Sequence, residues 1–138
     1  MASHKIVLAD GVFDIFHVGH LRYLQAASQM GDRLVVSVTR NAHVNKGPGR
    51  PLFDEWERAA IIRALRCVRQ VILVNDSLEA LEKVRPHIFV KGQDYRGKIK
   101  KIHSDYCKEH HIEIAFTDEV VYSATKIIND RFKQSQRA

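Results

Sequence analysis

Two histidines bracket a glycine in His17-Val18-Gly19-His20, shortly after an apolar run, Ile6-Val7-Leu8-Ala9, that reads as a strand buried on both faces. The spacing predicts a helix from Val18 to Met30, so the pair sits at a helix start. Free N–H groups and the helix dipole favour an anion there. Two imidazoles add hydrogen bonds to phosphate oxygens, and Gly19 lets a phosphate approach the backbone. The chemistry indicated is phosphate binding; the bland alternative is two surface histidines around a helix-start glycine. A shared cation is the weaker reading, because Asp14 is the only close carboxylate and no third ligand is evident.

The elements that must position this pair alternate in type. After the first helix, Gly31-Asp32 stops the chain and Leu34 to Val38 forms a second strand. Residues 40 to 53 hold Gly47, Pro48, Gly49 and Pro51, which predicts a mobile loop. Asp54, with Glu57 three residues on, opens a helix as in a capping box, and Ile61, Ala64, Leu65 and Val68 have the spacing of its buried face. Val71 to Val74 is a third strand. Ser77 caps a short helix carrying Leu78, Leu81 and Val84, closed by Pro86. His87 to Val90 is a fourth strand, followed by a loop from Gly92 to Gly97 and a basic helix from Lys98 to His110. Ile112 to Phe116 is a fifth strand. Ser123 opens a final helix with Ile127, Ile128 and Phe132 inward, and Lys133 to Ala138 reads as a frayed polar tail.

Strands alternating with helices predict an α/β fold, a Rossmann-like three-layer sandwich around a five-stranded parallel sheet. In such folds ligands sit beyond the carboxyl ends of the strands, where the strand order reverses. The length, 138 residues, fits one domain spanning 1–138. Hydrophobic residues at 45% and charged residues at 28% exclude a disordered chain. No apolar run approaches the roughly 20 residues of a membrane span. A strand begins almost at once, so no signal peptide and a cytoplasmic location are expected. Cys67 and Cys107 are too few for a disulfide framework; Cys67 reads as a core residue. The formal net charge of +6 points to anionic partners: nucleotides, phosphorylated metabolites or nucleic acid.

The segment Gly11-Val12-Phe13-Asp14-Ile15-Phe16-His17-Val18-Gly19-His20 resembles the G-x-F-D-x-x-H-x-G-H signature of the cytidylyltransferase-like nucleotidyltransferases. The resemblance extends from Ile6 to Asn129. Asn45 to Pro51 resembles the family's lysine loop, and Trp56-Glu57-Arg58 its E-x-R segment. Val90-Lys91-Gly92-Gln93-Asp94-Tyr95 is similar to the V-K-G-x-D-Y segment of sugar-phosphate adenylyltransferases, notably the heptose 1-phosphate branch. Tyr122 to Ile127 is similar to the I-S-T-T-x-I signature, with Tyr122 in place of isoleucine and Ala124 in place of the first threonine, so one hydroxyl is missing. Ala9 to Asp14, by contrast, resembles the phosphocholine and phosphoethanolamine cytidylyltransferases.

The resemblance implies attack by a substrate phosphate oxygen on the α-phosphate of a nucleoside triphosphate, with pyrophosphate leaving. His17 and His20 would stabilise the triphosphate and its leaving-group charge, and Lys46 would bridge the two phosphates as a mobile cation. Nucleotide contacts fall to Asp10, Gly11, Val12, Phe13 and Gly19 after the first strand, and to Lys91, Gly92, Asp94 and Tyr95 after the fourth. Tyr122, Ser123 and Thr125 join them at the last helix start. Arg58 reads as a ligand of the acceptor phosphate or triphosphate, or as a helix-surface salt-bridge partner. Asp14 reads as an acceptor-site residue orienting a histidine, or as a purely structural turn residue. No metal held by the protein is expected; Mg2+ arrives with the triphosphate. A homodimer is the family's implied assembly.

The preferred reaction is therefore ATP plus a sugar phosphate, and the alternative is CTP plus an alcohol phosphate such as glycerol 3-phosphate or phosphoethanolamine. A rival of another class is a basic nucleic-acid-binding domain, suggested by Lys98-Ile99-Lys100-Lys101. Basic residues interleaved with aromatics, which that rival needs, are not seen. A nucleotide-binding regulatory domain without catalysis is opposed by the intact histidine pair.

Overall fold

The computed structural model describes residues 4–118 and 130–134. The strands are β1 (Ile6–Gly11), β2 (Arg33–Thr39), β3 (Gln70–Val74), β4 (Ile88–Lys91) and β5 (Glu113–Phe116). The helices between them are α1 (Val18–Ser28), α2 (Glu55–Arg63), α3 (Ser77–Val84) and α4 (Lys101–Glu109), with 3-10 turns at Asn41–His43 and Gln93–Tyr95. All strand pairs are parallel, in the order β3-β2-β1-β4-β5, so the expected Rossmann-like sheet is what the chain forms.

β1 is hydrogen-bonded on both sides, with Ala9 level with Val36 of β2 and Val90 of β4. That position demands a continuous apolar run, and Val7, Leu8 and Ala9 are fully buried. Successive side chains leave opposite faces of the sheet. Val7 and Ala9 pack with Leu24 and Ala27 of α1 and with Ala59 and Ile62 of α2. Leu8 packs on the other face with Ala80 and Leu81 of α3 and Cys107 of α4. Helices that follow β1 and β4 thus leave on opposite faces, which opens a crevice between these two neighbouring strand ends.

Several boundaries differ from expectation, each for a local reason. Helix α3 is capped by Asp76, whose carboxylate accepts from the Glu79 N–H at 2.8 Å, while Ser77 is engaged elsewhere. Its far end is Arg85 in a left-handed conformation, ahead of Pro86. Helix α4 starts at Lys101, after Lys98 and Lys100 have passed along the crevice. Of the expected face of α2, Leu65 and Val68 pack on the core just beyond the helix, but Ile61 is 43% exposed and Ala64 is exposed, and within the helix the buried residues are Arg58, Ala59 and Ile62. Apolar spacing sets the period of a helix, but a buried arginine occupies part of this face and shifts its phase.

Cys67 is half-buried against the core, and burial pushes the Cys107 thiol up to about 11. Phe132, expected inward, is 64% exposed. The rest of the expected final helix, Ser123 to Asn129, lies outside the described residues together with Tyr122. No helix among the described residues is long and apolar enough to cross a membrane.

Candidate active site

A cleft of about 800 Å³ opens at the carboxyl ends of β1 and β4. One wall is built by the turn after β1. Gly11 is needed there because a Cβ would stand 2.9 Å from the Phe13 ring, which folds back beneath it. The chain then reaches His17 in an extended conformation, which makes this histidine the N-cap of α1.

The two imidazoles cap the helix reciprocally. His17 Nδ1 accepts from the Gly19 N–H at 3.1 Å, and His20 Nδ1 accepts from the His17 N–H at 3.2 Å. A nitrogen that accepts carries no proton, so each neutral ring holds its proton on Nε2. The rings stack with centroids 3.8 Å apart, and the Phe13 ring meets His20 edge-on at 5.3 Å. Burial, then the neighbouring His17 and Lys46, push His20 down to about 3. Burial and Lys46 also lower His17. The outcome is two uncharged N–H donors at neutral pH. His17 Nε2 is buried and has no hydrogen-bond partner among the described residues.

Depressed histidines make stability pH-dependent. Between pH 6.5 and about 3 the unfolded chain protonates this histidine while the folded chain does not. Stability is therefore complete above pH 6.5 and falls as the pH drops below it. Urea unfolding at stepped pH is expected to show this acid slope, and to show a shallower one for His20→Gln; equal slopes would mean that His20 protonates freely when folded.

Lys46 reaches the cleft from the loop before α2. Burial, then Arg50 and Arg58, lower its pKa, against an opposing pull from Asp14. Asp14 does not contact a histidine through its carboxylate. It is 2% exposed and accepts from Leu52 N at 2.7 Å, Phe53 N at 3.1 Å and Arg50 Nε at 3.1 Å. Burial raises its pKa, but these hydrogen bonds outweigh it and hold the carboxyl below its usual value. Its carboxylate thus holds the loop and not a histidine, and the residue also lines the cleft.

Arg58 is neither of the things expected of it. It is 1% exposed and does not line the cleft. Its Nε donates to Phe53 O at 2.9 Å, its Nη1 to Val12 O at 2.9 Å and its Nη2 to Asn41 Oδ1 at 2.6 Å. The guanidinium fastens the loop, the β1 turn and α2 together from behind.

The opposite wall begins at Asp10, the last acidic residue of β1. Its Oδ1 pairs with Lys91 Nζ at 2.7 Å, and its Oδ2 accepts from Ser77 Oγ. The Lys91 ammonium stands 4.2 Å from the Tyr95 ring centroid and 5.4 Å from that of Phe89. Gly92 turns the chain at the end of β4, and a Cβ there would lie 2.7 Å from Asp94 Oδ1. Val12, Phe13, Gly19, Asp94 and Tyr95 all line the cleft, as expected. Sequence reasoning missed Thr39, His43, Arg50, Asn75, Asp76, Ser77 and His103. Thr39 ends β2 and Asn75 to Ser77 follow β3, so the strand-end rule, applied to every strand, finds them.

No group of three His, Cys, Asp or Glu side chains able to hold a metal occurs among the described residues. Both Nδ1 atoms of the histidine pair are already acceptors, which disfavours a shared cation there.

Comparison with known proteins agrees with this architecture. The family model described as cytidylyltransferase-like matches residues 8–130. The bifunctional protein HldE of Nitratiruptor sp. is 37% identical over 133 residues, covering 94% of this chain and 28% of that protein. The bifunctional protein HldE of Syntrophotalea carbinolica is 45% identical over 94 residues, covering 65% of this chain and 19% of that protein. The chain thus spans only about a fifth to 28% of the length of these relatives. The crystal structure of the lipopolysaccharide core biosynthesis protein from Thermoplasma volcanium superposes with a TM-score of 0.74 at 32% identity, covering 86% of this chain and 100% of that one. A pantothenate synthetase from Thermus thermophilus shares the fold, with a TM-score of 0.63 at 14% identity over 86% of this chain and 57% of that one. With its strand order, its paired histidines at the first helix and a family match across most of its length, the chain belongs to the cytidylyltransferase-like family.

Proposed function

We propose that this protein transfers the nucleoside monophosphate of ATP to the phosphate of a sugar phosphate and releases pyrophosphate. The observation that carries the reading is the histidine pair: both Nδ1 atoms are engaged, and a buried Nε2–H on His17 is left without a partner among the described residues. Neutral donors of this kind hold phosphate oxygens and strengthen as charge builds on the departing pyrophosphate. An acceptor phosphate oxygen forms the new bond to the α-phosphorus, and the bond from that phosphorus to the α,β-bridging oxygen breaks. Two polyanions must meet in line, and Lys46, on the same cleft, supplies the cation between them. Among the described residues no group of three carboxylate, His or Cys side chains could hold a metal, and Asp10 is held by Lys91. Magnesium enters as part of the nucleotide substrate, on phosphate oxygens and water.

The reading of ATP as the nucleotide rests on the likeness of Val90 to Tyr95 to the sugar-phosphate adenylyltransferase segment, and Lys91, Gly92, Asp94 and Tyr95 of that segment line the cleft. Polar backbone and an aromatic ring stand beside the strand end where a base would lie, and a site that pairs with a base's edge discriminates strongly. The basic segment favours a small anion over nucleic acid, since Lys98 and Lys100 line the cleft. Pyrophosphate release from the purified chain tests the proposal, using ATP, CTP, GTP and UTP against sugar 1-phosphates, heptose 1-phosphate among them, and alcohol phosphates. The highest kcat/KM is expected with ATP and a sugar phosphate. A higher value with CTP and an alcohol phosphate replaces the adenylyl reading with the cytidylyl one. Salt-sensitive oligonucleotide binding without pyrophosphate release replaces both.

A further inference from the structure

The loop that carries Lys46 is fastened to the segment that carries the histidines through Asp14, in addition to the bridge that Arg58 makes from Phe53 to Val12. Asp14, three residues before His17, takes the N–H groups of Leu52 and Phe53 and the Nε of Arg50 on its carboxylate. Arg50 also donates from Nη2 to the Asp14 carbonyl oxygen, so its fork grips one residue at two places. Unlike Arg58, Arg50 comes from the cleft side, where its side chain is 28% exposed. Between Arg50 and Lys46 lie Gly47 and Gly49, both at positive φ and with open space around them. The Arg50 N–H closes that turn on Gly47 O at 3.2 Å. Leu52, Phe53 and Arg58 fasten the far end of the loop, whereas Gly47 and Gly49 contribute no side chain, so among the described residues Arg50 on Asp14 is the side-chain anchor nearest to Lys46.

We propose that Arg50 is a positioning residue for the transfer reaction: by gripping Asp14 it sets where the Lys46 ammonium stands relative to His17 and His20. The proposal rests on the nucleotidyltransferase reading. It separates the two arginines near this loop by task. Arg58 holds the loop's far end to the core, whereas Arg50 governs the reach of the catalytic cation. Lysine is a poor substitute for Arg50, because a single ammonium lacks the planar fork that meets a carboxylate oxygen and a carbonyl oxygen together.

The test uses Arg50→Ala, Arg50→Lys, Lys46→Ala and the Arg50→Ala/Lys46→Ala pair in the full chain. Amide hydrogen exchange comes first, since it needs no substrate. In Arg50→Ala the Leu52 and Phe53 amides are expected to exchange about tenfold faster while β1 amides are unchanged, as in a local opening. Steady-state kinetics follows. Arg50→Ala is expected to lose about 10²-fold, mainly in kcat, the usual consequence of displacing a reacting group by an ångström. Arg50→Lys should recover part of that loss. The double variant should be little worse than Lys46→Ala alone, because a misplaced cation and a missing one fail in the same way. Multiplying losses, or unchanged exchange at Leu52 and Phe53, would overturn the proposal. A wild-type chain that releases no pyrophosphate with any substrate pair removes the function reading and the catalytic half of this proposal with it. The exchange data then still decide whether Arg50 docks the loop.

Discussion

His20→Ala is expected to lower kcat by about 10²- to 10³-fold, the range for loss of one preorganised donor to developing charge. Nucleotide affinity should fall much less, because the donor strengthens as the pyrophosphate leaves and contributes less to the ground state. The geometry adds a second component. His20 Nδ1 accepts from the His17 N–H, so removing the ring also frees the N-cap that orients His17. Losses from His17→Ala and His20→Ala should therefore be less than multiplicative. His20→Gln keeps an N–H donor on a side chain of similar reach and should fall between wild type and alanine. Single-turnover measurements with saturating nucleotide would settle it, and near-normal kcat for His20→Ala would remove this residue from the mechanism.

Arg58→Leu is expected to cost about 3 kcal/mol of stability, by removing three hydrogen bonds made by a fully buried guanidinium. Replacing a whole buried ion pair with apolar groups is often neutral, but here the acceptors are Phe53 O, Val12 O and Asn41 Oδ1, and they stay behind. The loss of these charge-assisted hydrogen bonds, which no apolar side chain replaces, therefore decides the sign. Urea unfolding should show a lower midpoint with an unchanged slope, and Tm should drop by roughly 10 °C. If Arg58 were instead a phosphate ligand, the midpoint would hold and KM for the acceptor would rise. That second pattern would return it to the active site.

Both predictions concern residues that the sequence singles out, and they divide along a physical line. The histidine pair, Lys46 and the Lys91–Tyr95 segment are legible because their chemistry is local. Capping by His17 and His20 joins residues three apart, and a strand end followed by glycine declares a turn wherever the sheet lies. The parallel sheet is legible for the same reason: Val7, Leu8 and Ala9 form an unbroken apolar run that only a central strand can bury. Arg58, Asp14 and Arg50 were not assignable in this way. Their partners lie far along the chain, with Asp14 to Leu52 spanning 38 residues and Arg58 to Val12 spanning 46. A lone charged side chain carries no mark of which distant carbonyl or amide will meet it. The phase of α2 was hidden with them, since its buried face includes Arg58, which hydropathy counts as surface. The residue types and spacing thus determined the family chemistry and the sheet, whereas tertiary packing decided which charges face the cleft and which hold its wall, because a buried charge is stable only where the rest of the fold supplies its acceptors or donors.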